Sequence, residues 1–476
     1  MGTERVHRLL LVALVFVTAC GSHAPELVRR PAAPPPAVVF RDVSVLDVRD
    51  GSAARRDVLV VGDRITAVTA PNGAEAPAGA RTIAGAGATL LPGLVDMHGH
   101  VGQSSAPAWL GELPDPDANL RAFLYCGVTT VLDPADLSSQ AFARRDRVRR
   151  GELLGPTIYA AGPMVTAPGG HPVAILRQLA PWWIRWYLIP RLAAQVDSPA
   201  AARAAVDEIA GMGADVIKFS VDRLPDDVPR IARDVLEAGV DEARRRGVRA
   251  VAHIGTVEDG LDAARAGIAA WMHGVYKERI PDEMIPVFAA FHIPMVPTLA
   301  VFEAYAVAGQ GPRAATPLET ETVPAAILRA FDSIPASYDT SRFAPYLAKL
   351  RAQRPAWGDN VRRLHAAGVT MLAGSDVQTG VFPGAALHRE LHLLVEAGLS
   401  PAEAIRAATI DGARFLADGK EPDFGIVAEG KRADLLLVDG DPARDLDALA
   451  RIRAVMKSGV ILERTPVSAP SAEAPA

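Results

Sequence analysis

Residues 214–220 read ADVIKFS, residues 226–247 read DDVPRIARDVLEAGVDEARRRG, and residues 248–254 read VRAVAHI. The first and last stretches are short, apolar and rich in β-branched residues, which is typical of strands buried on both faces. The stretch between them has the Ala, Arg and Glu content of a helix and ends in glycine, as helices often do. The three stretches therefore predict two parallel strands joined by a helix.

The same pattern of an apolar run followed by a helical stretch occurs in eight units along the chain. The other six apolar runs, each with a polar residue at or near its end, are residues 89–100, 127–133, 156–162, 268–274, 293–299 and 369–376. Helical stretches such as DNVRRLHAAG separate most of them. Eight such units predict a (β/α)8 TIM barrel, in which functional groups lie at the carboxyl ends of the strands.

The two ends of the chain have a different pattern. Residues 38–70 and 425–463 alternate apolar and polar residues in the manner of strands, with turn residues between them. We expect both ends to pair into one small discontinuous β-sandwich. The predicted sections are a sandwich part at 38–91, the barrel at 92–418, a second sandwich part at 419–464 and a disordered tail at 465–476.

The first twenty residues predict an export signal. Leu9–Val17 is an apolar run far shorter than a membrane-spanning helix, and it leads to Val-Thr-Ala-Cys at Cys20. This run resembles a bacterial lipobox, which implies a signal peptide at 1–19 and lipidation of Cys20. An ordinary secretory signal or an uncleaved anchor is the alternative. Residues 20–37 then predict a Pro- and Ala-rich tether, and the predicted location is the bacterial cell envelope, facing the periplasm or the exterior.

Composition excludes several classes of protein. A formal charge of -5 and a pI near 6.1 argue against nucleic-acid binding, which requires a basic surface. With only Cys20 and Cys126, disulfide scaffolds and cysteine-rich zinc sites are excluded. Cys126 lies in the apolar run FLYCGVTTV and is interpreted as part of the core rather than as a nucleophile.

Histidines occupy equivalent positions in several of the eight units. His98 and His100 stand two residues apart on an extended run, so both imidazoles point to the same side. Four further polar residues fall at the ends of the fourth, fifth, sixth and eighth units: Lys218, His253, His273 and Asp376. Several neutral imidazoles with a carboxylate suit Zn²⁺ or a similar divalent ion, and this joint pattern predicts a metal site.

These residues carry a family resemblance. The motifs PGLVDMHGH, IKF, AH, MHG and GSD, in this order, resemble the amidohydrolase superfamily, and GKRADLLLVDGDP resembles its closing β-domain. Within that superfamily the chain is similar to the imidazolonepropionase-like and Xaa-Pro dipeptidase-like subgroup. The stretches GVTTVLD, GGHP and HRELHLLVEAGLSPAEAI support the subgroup.

The resemblance implies a centre of two divalent metal ions, with Zn²⁺, Mn²⁺ and Co²⁺ all acceptable. His98, His100 and Asp376 would hold one ion, His253 and His273 the other, and Lys218, converted by CO2 to a carbamate, would bridge them. A hydroxide shared by the two ions would attack the substrate. Asp376 would take its proton and pass it to the leaving nitrogen.

Substrate contacts are predicted at two further positions. His171 lies in TAPGGHPV after the third strand, where the subgroup has a histidine near the substrate carbonyl, and a catalytic or substrate-binding role is expected. Tyr276, three residues after His273, is a second substrate-binding candidate. The remaining histidines of the body are interpreted as structural: His292, His365, His388 and His392.

Residues 177–192, RQLAPWWIRWYLIPRL, hold three of the six tryptophans. They predict a lid or apolar cap over the pocket, or alternatively a contact with a membrane surface. Residues 302–360 form a second long insertion, which is expected to shape the pocket or an oligomer contact.

The predicted function is hydrolysis of a C–N bond in a small dipeptide or cyclic amide. The loop SVDRLPDD after Lys218 lacks the Gly-rich turn expected of the dipeptidases, which argues against dipeptide recognition. Hydrolysis of an ester, lactone or phosphoester on the same centre is an alternative. A non-catalytic lipoprotein that binds a metal or ligand is the third functional alternative. The protein is also a candidate homo-oligomer.

Overall fold

A computed structural model describes residues 26–341 and 343–467. Its centre is a barrel of parallel strands, as the eightfold sequence pattern predicts. Seven barrel strands are regular: Leu94–Asp96, Val128–Asp133, Thr157–Ala160, Val216–Ser220, Arg249–His253, Ala270–Met272 and Met295–Val296. Residues 370–373 are the eighth, an extended segment bridged in parallel to the seventh strand at Met371.

Hydrogen bonds close the barrel where regular pairing is short. They join the third strand to the fourth, the eighth to the seventh, and the first to the eighth. The backbone N–H of Asp215 donates to the Ala160 carbonyl (2.9 Å). The backbone N–H of Leu372 donates to the Met295 carbonyl (2.8 Å), and that of Met97 donates to the Ala373 carbonyl (2.8 Å). The ring of eight is therefore continuous.

An inner apolar core fills the barrel below its carboxyl end. Each strand, or the residue next to it, contributes: Val95, Leu132, Ala161, Val216, Val251, Met272, Val296 and Leu372. Phe415 and Leu416, from a helix near the end of the barrel chain, pack into the same core. A barrel filled in this way is a packed scaffold, and its chemistry is restricted to the open end.

Eight helices follow the barrel strands in order and pack around them. They are Pro116–Tyr125, Ser138–Arg149, Pro199–Gly211, Arg233–Arg245, Val257–Ala266, Ile285–Ala290, Ala344–Ala366 and Ala385–Glu396. Additional helices are Val173–Leu179, Arg185–Leu192, Leu299–Val307, Pro317–Thr322, Ala325–Arg329, Pro401–Ala407 and Ile410–Leu416. In the described part of the chain, every helix is too short or too polar to cross a bilayer.

The two chain ends form one β domain, which confirms the discontinuous β-sandwich. The N-terminal and C-terminal parts of this domain are joined by the antiparallel pairing of strand Ala88–Pro92 with strand Leu435–Asp439. The remaining strands of this sheet are Ala37–Leu46, Ala53–Val61, Arg64–Thr69, Arg81–Ala84, Ile452–Lys457 and Val460–Ile461. Strand Ala37–Leu46 changes partner at an irregularity between Phe40 and Val43, which bends the sheet around its own apolar core.

The predicted tether at 20–37 is wrong for the residues that the structure describes. Leu27 and Val28 are buried in the main core, and strand Val28–Arg29 pairs with Glu463–Arg464. The predicted tail at 465–476 also begins in an ordered contact, since Thr465 donates its backbone N–H to Leu27. The signal peptide, Cys20 and residues 468–476 lie outside the described residues.

Two insertions rise above the barrel's carboxyl end. After the third strand, Met164–Thr166 pairs in parallel with Ala193–Gln195, and two short helices lie between these strands. After the seventh strand, helix Leu299–Val307 packs against Ala344–Ala366 and Ala385–Glu396. Both insertions therefore border the end of the barrel where function is expected.

Candidate metal centre and active site

Strand alternation points Lys218 and His253 into the barrel. Each stands two residues after a member of the inner core, Val216 and Val251, and so faces the same side. The other four predicted ligands follow the ends of the first, sixth and eighth strands: His98, His100, His273 and Asp376. All six therefore lie at the carboxyl end of the barrel.

A buried carboxylate fixes the first and eighth strands relative to each other. Asp96 Oδ1 accepts the backbone N–H groups of His98 and Ser375, both at 3.0 Å, and Oδ2 accepts the Ser375 hydroxyl at 2.5 Å. The Asp376 N–H also donates to the His98 carbonyl at 2.6 Å. Burial raises the pKa of Asp96 to about 6, although these hydrogen bonds oppose the shift.

The Asp376 carboxylate is the centre of the cluster. Its Oδ1 lies 3.5 Å from His98 Nε2 and 3.2 Å from His100 Nε2, and its Oδ2 lies 3.7 Å from His273 Nδ1. Among the described residues, His98, His273 and Asp376 bring one ligand atom each within 4.8 Å of one another. Three ligand atoms at this spacing are close enough to take part in metal binding. His100, His253 and Lys218 stand beside this group.

The imidazole rings form a continuous row. His273 has its ring centre 4.6 Å from that of His98 and 4.1 Å from that of His253. His171, on the insertion after the third strand, lies 4.7 Å from His253. The structure thus brings the four predicted histidine ligands together and places His171 at the end of the row.

Lys218 is buried in this cluster, and its Nζ has no hydrogen-bond partner among the described residues. Burial lowers the pKa of Lys218 to about 7, and the Asp376 charge only partly opposes the shift. An amine with this pKa is largely uncharged slightly above neutral pH. Lys218 is therefore suited to carry a carbamate, and it would not repel metal ions as an ammonium group would.

Several imidazoles have one nitrogen held by the protein, which leaves the other available as a ligand. The held nitrogens and their partners are His100 Nδ1 with the Ala135 carbonyl (3.1 Å), His253 Nε2 with Asp222 Oδ2 (3.3 Å) and His273 Nδ1 with Thr298 Oγ1 (2.7 Å). These contacts select the ring orientation and favour one tautomer. They are of the kind that supports histidine ligands in metal sites.

Most of these histidines favour the neutral form that metal binding requires. Burial lowers the pKa of His98, His253 and His273, and neighbouring positive charges lower those of His98 and His273 further. Burial also disfavours charge on His100, but its hydrogen bond to Asp376 raises its pKa. The donor set and its preferred protonation states therefore fit divalent metal ions.

Three site residues adopt left-handed backbone conformations. The φ angles are 71° at His273, 51° at Thr298 and 54° at Asp376. Non-glycine residues rarely adopt such angles, and the surrounding contacts must offset the strain. The conformations aim the side chains of all three into the cluster.

Asp222 is a site residue that the sequence analysis missed. Its carboxylate contacts His253 at 3.3 Å, accepts the Tyr276 hydroxyl at 2.5 Å and pairs with Lys277 Nζ at 2.8 Å. Burial alone would raise the pKa of Asp222, but His253 and Lys277 hold it below its usual range. The signal was present in SVDRLPDD, where an acid stands in place of the expected Gly-rich turn.

The two predicted substrate contacts differ in their surroundings. His171 Nδ1 is buried and has no hydrogen-bond partner among the described residues, so it can still bind a ligand. The Tyr276 hydroxyl donates to Asp222, and its ring stacks on Phe302 with centres 4.1 Å apart. Substrate contact by either residue stays a prediction.

The remaining histidines make contacts away from this cluster. His388 Nε2 lies 2.8 Å from the Cys126 carbonyl, His392 lies 3.3 Å from Asp447, and His365 lies 3.4 Å from Glu403. His292 is exposed. Cys126 is buried, and burial raises the pKa of its thiol to about 12. Such a thiol is not a nucleophile at neutral pH, as the core interpretation requires.

Comparisons with known proteins agree with this geometry. Ochratoxinase of Aspergillus niger is 24% identical over 436 residues, which cover 85% of this chain and 82% of that protein. A crystal structure of a Xaa-Pro dipeptidase with methionine in its active site superposes with a TM-score of 0.72, 23% identity, and coverage of 89% of this chain and 99% of the other. A molinate hydrolase structure gives a TM-score of 0.70, 20% identity, and coverage of 90% and 95%. The structural matches indicate a shared fold.

The family model gives the wider assignment. The Amidohydrolase family model matches residues 89–462, which include the whole barrel and the C-terminal part of the β domain. That range contains every residue of the candidate metal centre described above. The chain belongs to the Amidohydrolase family.

Proposed function

We propose that the protein is a metal-dependent hydrolase that cleaves a C–N bond in small amides, either peptide-like or cyclic. The observation that carries the proposal is Lys218. Its buried, unpartnered amine lies among four imidazoles and a carboxylate, where packing alone would favour an apolar side chain. The donor set around it is the kind that binds Zn²⁺ and similar ions.

In the proposed centre, His98, His100 and Asp376 hold one divalent ion. His253 and His273 hold the second. Bound divalent ions would supply Lewis acidity to the substrate carbonyl and ease the deprotonation of water near neutral pH.

Lys218 completes the proposed centre after it reacts with CO2. The neutral amine forms an N–C bond to CO2, one C–O electron pair moves to oxygen, and the amine loses a proton to solvent. The product is a carbamate, whose single negative charge is shared by two oxygens. The lowered pKa of Lys218, about 7, makes the neutral amine available for this step.

Asp376 and His171 are assigned to proton transfer and substrate orientation. Asp376 accepts a proton from the attacking water and donates it to the leaving nitrogen as the C–N bond breaks. A carboxylic acid and an amine result. The unpartnered Nδ1 of His171 is available to hydrogen-bond the substrate carbonyl. Tyr276 is proposed to act close by, through the Asp222 carboxylate to which it donates.

The relatives support the amide class, since they include proteins named as a Xaa-Pro dipeptidase and a prolidase complexed with N-methylphosphonate-L-proline. The sequence of the loop after Lys218 argues for a different substrate within that class. There Asp222 pairs with Lys277, so this part of the site is occupied by a buried ion pair.

The test is a hydrolysis screen of the full chain loaded with Zn²⁺, using dipeptides, N-acyl amino acids, lactams and lactones. We expect chelator-sensitive release of an amine from one group. Asp376→Asn should lower that rate by at least about 100-fold, the usual minimum for a lost general acid–base group. The matched control is Asp227→Asn in an exposed loop of the same end of the barrel, which should keep the rate.

Three results would contradict the proposal. Turnover of lactones alone would assign ester chemistry. A lack of turnover of every substrate, in protein that holds its metal, would favour a non-catalytic binding protein. Undiminished turnover by Asp376→Asn would refute the proton shuttle.

We also propose that Cys20 is lipidated and holds the protein to the bacterial envelope, facing the periplasm or exterior. The support is the apolar run before Val-Thr-Ala-Cys in the sequence. Metabolic labelling with a tagged fatty acid should mark the full chain and not Cys20→Ser. Equal labelling of both would exclude this cysteine.

A further inference from the structure

The insertion after the third strand exposes an unusual apolar surface. Four side chains, which we call the tryptophan surface, are largely solvent-accessible: Leu179 (51%), Trp182 (80%), Trp183 (59%) and Trp186 (73%). Tryptophan is the largest apolar side chain, and its exposure to water is costly. The same chain buries Trp271 and Trp357, so the exposure is specific to this segment.

The segment is folded, and it has a small apolar core that does not include these tryptophans. Val173, Ile189 and Ala193 are buried together as a small separate cluster. The Trp186 indole N–H donates to the Trp183 backbone carbonyl at 2.8 Å, which orients the Trp186 ring against the backbone of the segment. The structure therefore presents the tryptophans outward instead of packing them over the barrel, which argues against the predicted apolar cap.

The charged side chains of the segment that carries this surface are all positive. The sequence has no acidic residue between Glu152 and Asp197, and the cations in that stretch are Arg177, Arg185 and Arg191. None of these arginines forms an ion pair with a carboxylate in the described part of the chain. Arg191 instead stacks over the Tyr187 ring, 3.9 Å from its centre. Tryptophan and tyrosine beside unpaired arginines match the headgroup region of an anionic bilayer.

The N-terminal chain limits how far this body can lie from a membrane. The fold begins at Leu27, seven residues after Cys20, because Leu27 is buried and Val28–Arg29 pairs with Glu463–Arg464. Seven extended residues span at most about 25 Å. This step rests on the proposed lipidation of Cys20, and it keeps Leu27 within about 25 Å of the bilayer surface.

We propose that the tryptophan surface docks on an anionic phospholipid bilayer, with its indoles at headgroup depth and its arginines near lipid phosphates. The surface begins a few residues after His171, so docking holds the edge of the active site at the membrane. A protein bound in this way has two attachments, a lipid chain and an aromatic surface, and stable anchoring commonly requires two.

The experiment uses the full chain reconstituted into vesicles of phosphatidylcholine and phosphatidylglycerol with brominated acyl chains, which quench nearby tryptophans. We expect quenching of up to about half of the emission, because three of the six tryptophans lie in this surface. The variant in which Trp182, Trp183 and Trp186 are all serine should lose that quenching. Trp109→Phe is the matched control: because Trp109 packs against Tyr338 and lies outside the tryptophan surface, this variant should keep the quenching.

The outcomes separate this proposal from the lipid anchor. Wild-type protein that is recovered with the vesicles but is not quenched would overturn the docking and leave the anchor intact. Quenching in wild type and in Cys20→Ser would support the docking and show that it does not need the anchor. Absence of quenching together with a concentration-dependent dimer, dissociated by the triple variant, would assign the surface to a second copy and overturn the proposal.

Discussion

At the scale of single residues, the site depends on groups that orient the predicted ligands. Asp222 illustrates this, because its carboxylate contacts His253 and Lys277 at once. Replacing Asp222 by Asn keeps the shape but removes the negative charge from both contacts. We expect affinity for the ion that His253 and His273 are proposed to hold to fall about 10- to 100-fold, as for other carboxylate partners of histidine ligands.

Chelator competition, followed by metal analysis, measures that loss without reference to activity. Asp226→Asn is the control, because Asp226 also pairs with Lys277 but is exposed and lies outside the imidazole row. Equal metal affinity in Asp222→Asn and the wild type would mean that Asp222 orients only Tyr276.

The clustering of the candidate ligands could be predicted from the sequence, and the residues that orient them could not. Lys218 and His253 each end a short apolar run, so strand alternation and barrel topology suffice to bring them together. Asp222 and Thr298 follow strands too, but the contacts they make depend on loop conformations that no periodicity encodes. The left-handed backbone at Thr298 is an example, since threonine seldom adopts it.

At the scale of elements, a buried acid on one helix holds the start of another. Glu390, in helix Ala385–Glu396, accepts the backbone N–H of Ala300 at 2.7 Å, at the start of helix Leu299–Val307. That helix follows Thr298, which contacts His273. Burial raises the pKa of Glu390 to about 8. The folded state therefore keeps this carboxyl protonated at neutral pH.

The raised pKa predicts a pH dependence of stability. Between the unfolded pKa near 4.5 and the folded value near 8, the native state binds a proton that the unfolded chain has released. Wild-type stability should therefore fall with rising pH by up to about 1.4 kcal/mol per unit. Glu390→Gln cannot ionise, so its free energy of unfolding should lack this pH dependence. The free energy of unfolding of Glu390→Gln minus that of the wild type should therefore increase from pH 5 to pH 8.

Denaturant unfolding across that pH range checks the prediction. Glu396→Gln, an exposed acid on the same helix, is the control and should follow the wild type. A constant difference between Glu390→Gln and the wild type would show that Glu390 is ionised in the folded state.

At the scale of the whole molecule, the barrel and the β domain were both predictable because each has its own sequence period. The predicted tether at 20–37 missed the strand Val28–Arg29 because composition dominated the interpretation. Its many Pro and Ala residues outweigh Leu27 and Val28 in the composition. These two residues are buried where the chain pairs with a strand more than 400 residues away. Contacts of that range leave no local pattern.

A buried lysine of the β domain also contacts the barrel. Lys457, in the β domain, donates to Asp434 at 2.8 Å and reaches two barrel strands, at the Thr129 carbonyl (3.1 Å) and the Thr157 hydroxyl (2.8 Å). Lys457→Met leaves the buried Asp434 carboxylate without this partner. We expect the free energy of unfolding to fall by about 3–5 kcal/mol, the usual cost of breaking a buried pair.

Chemical denaturation measures the loss, and two variants separate its causes. Lys420→Met, an exposed change near the β domain, should shift stability by at most about 0.5 kcal/mol. The double variant Asp434→Asn with Lys457→Met should recover part of the loss, because the buried carboxylate, which Lys457→Met leaves with Arg432 as its cationic partner, is then uncharged. If the double variant is as unstable as Lys457→Met, the lysine joins the domains through its bonds to the barrel strands, and the charge of Asp434 has little part in it.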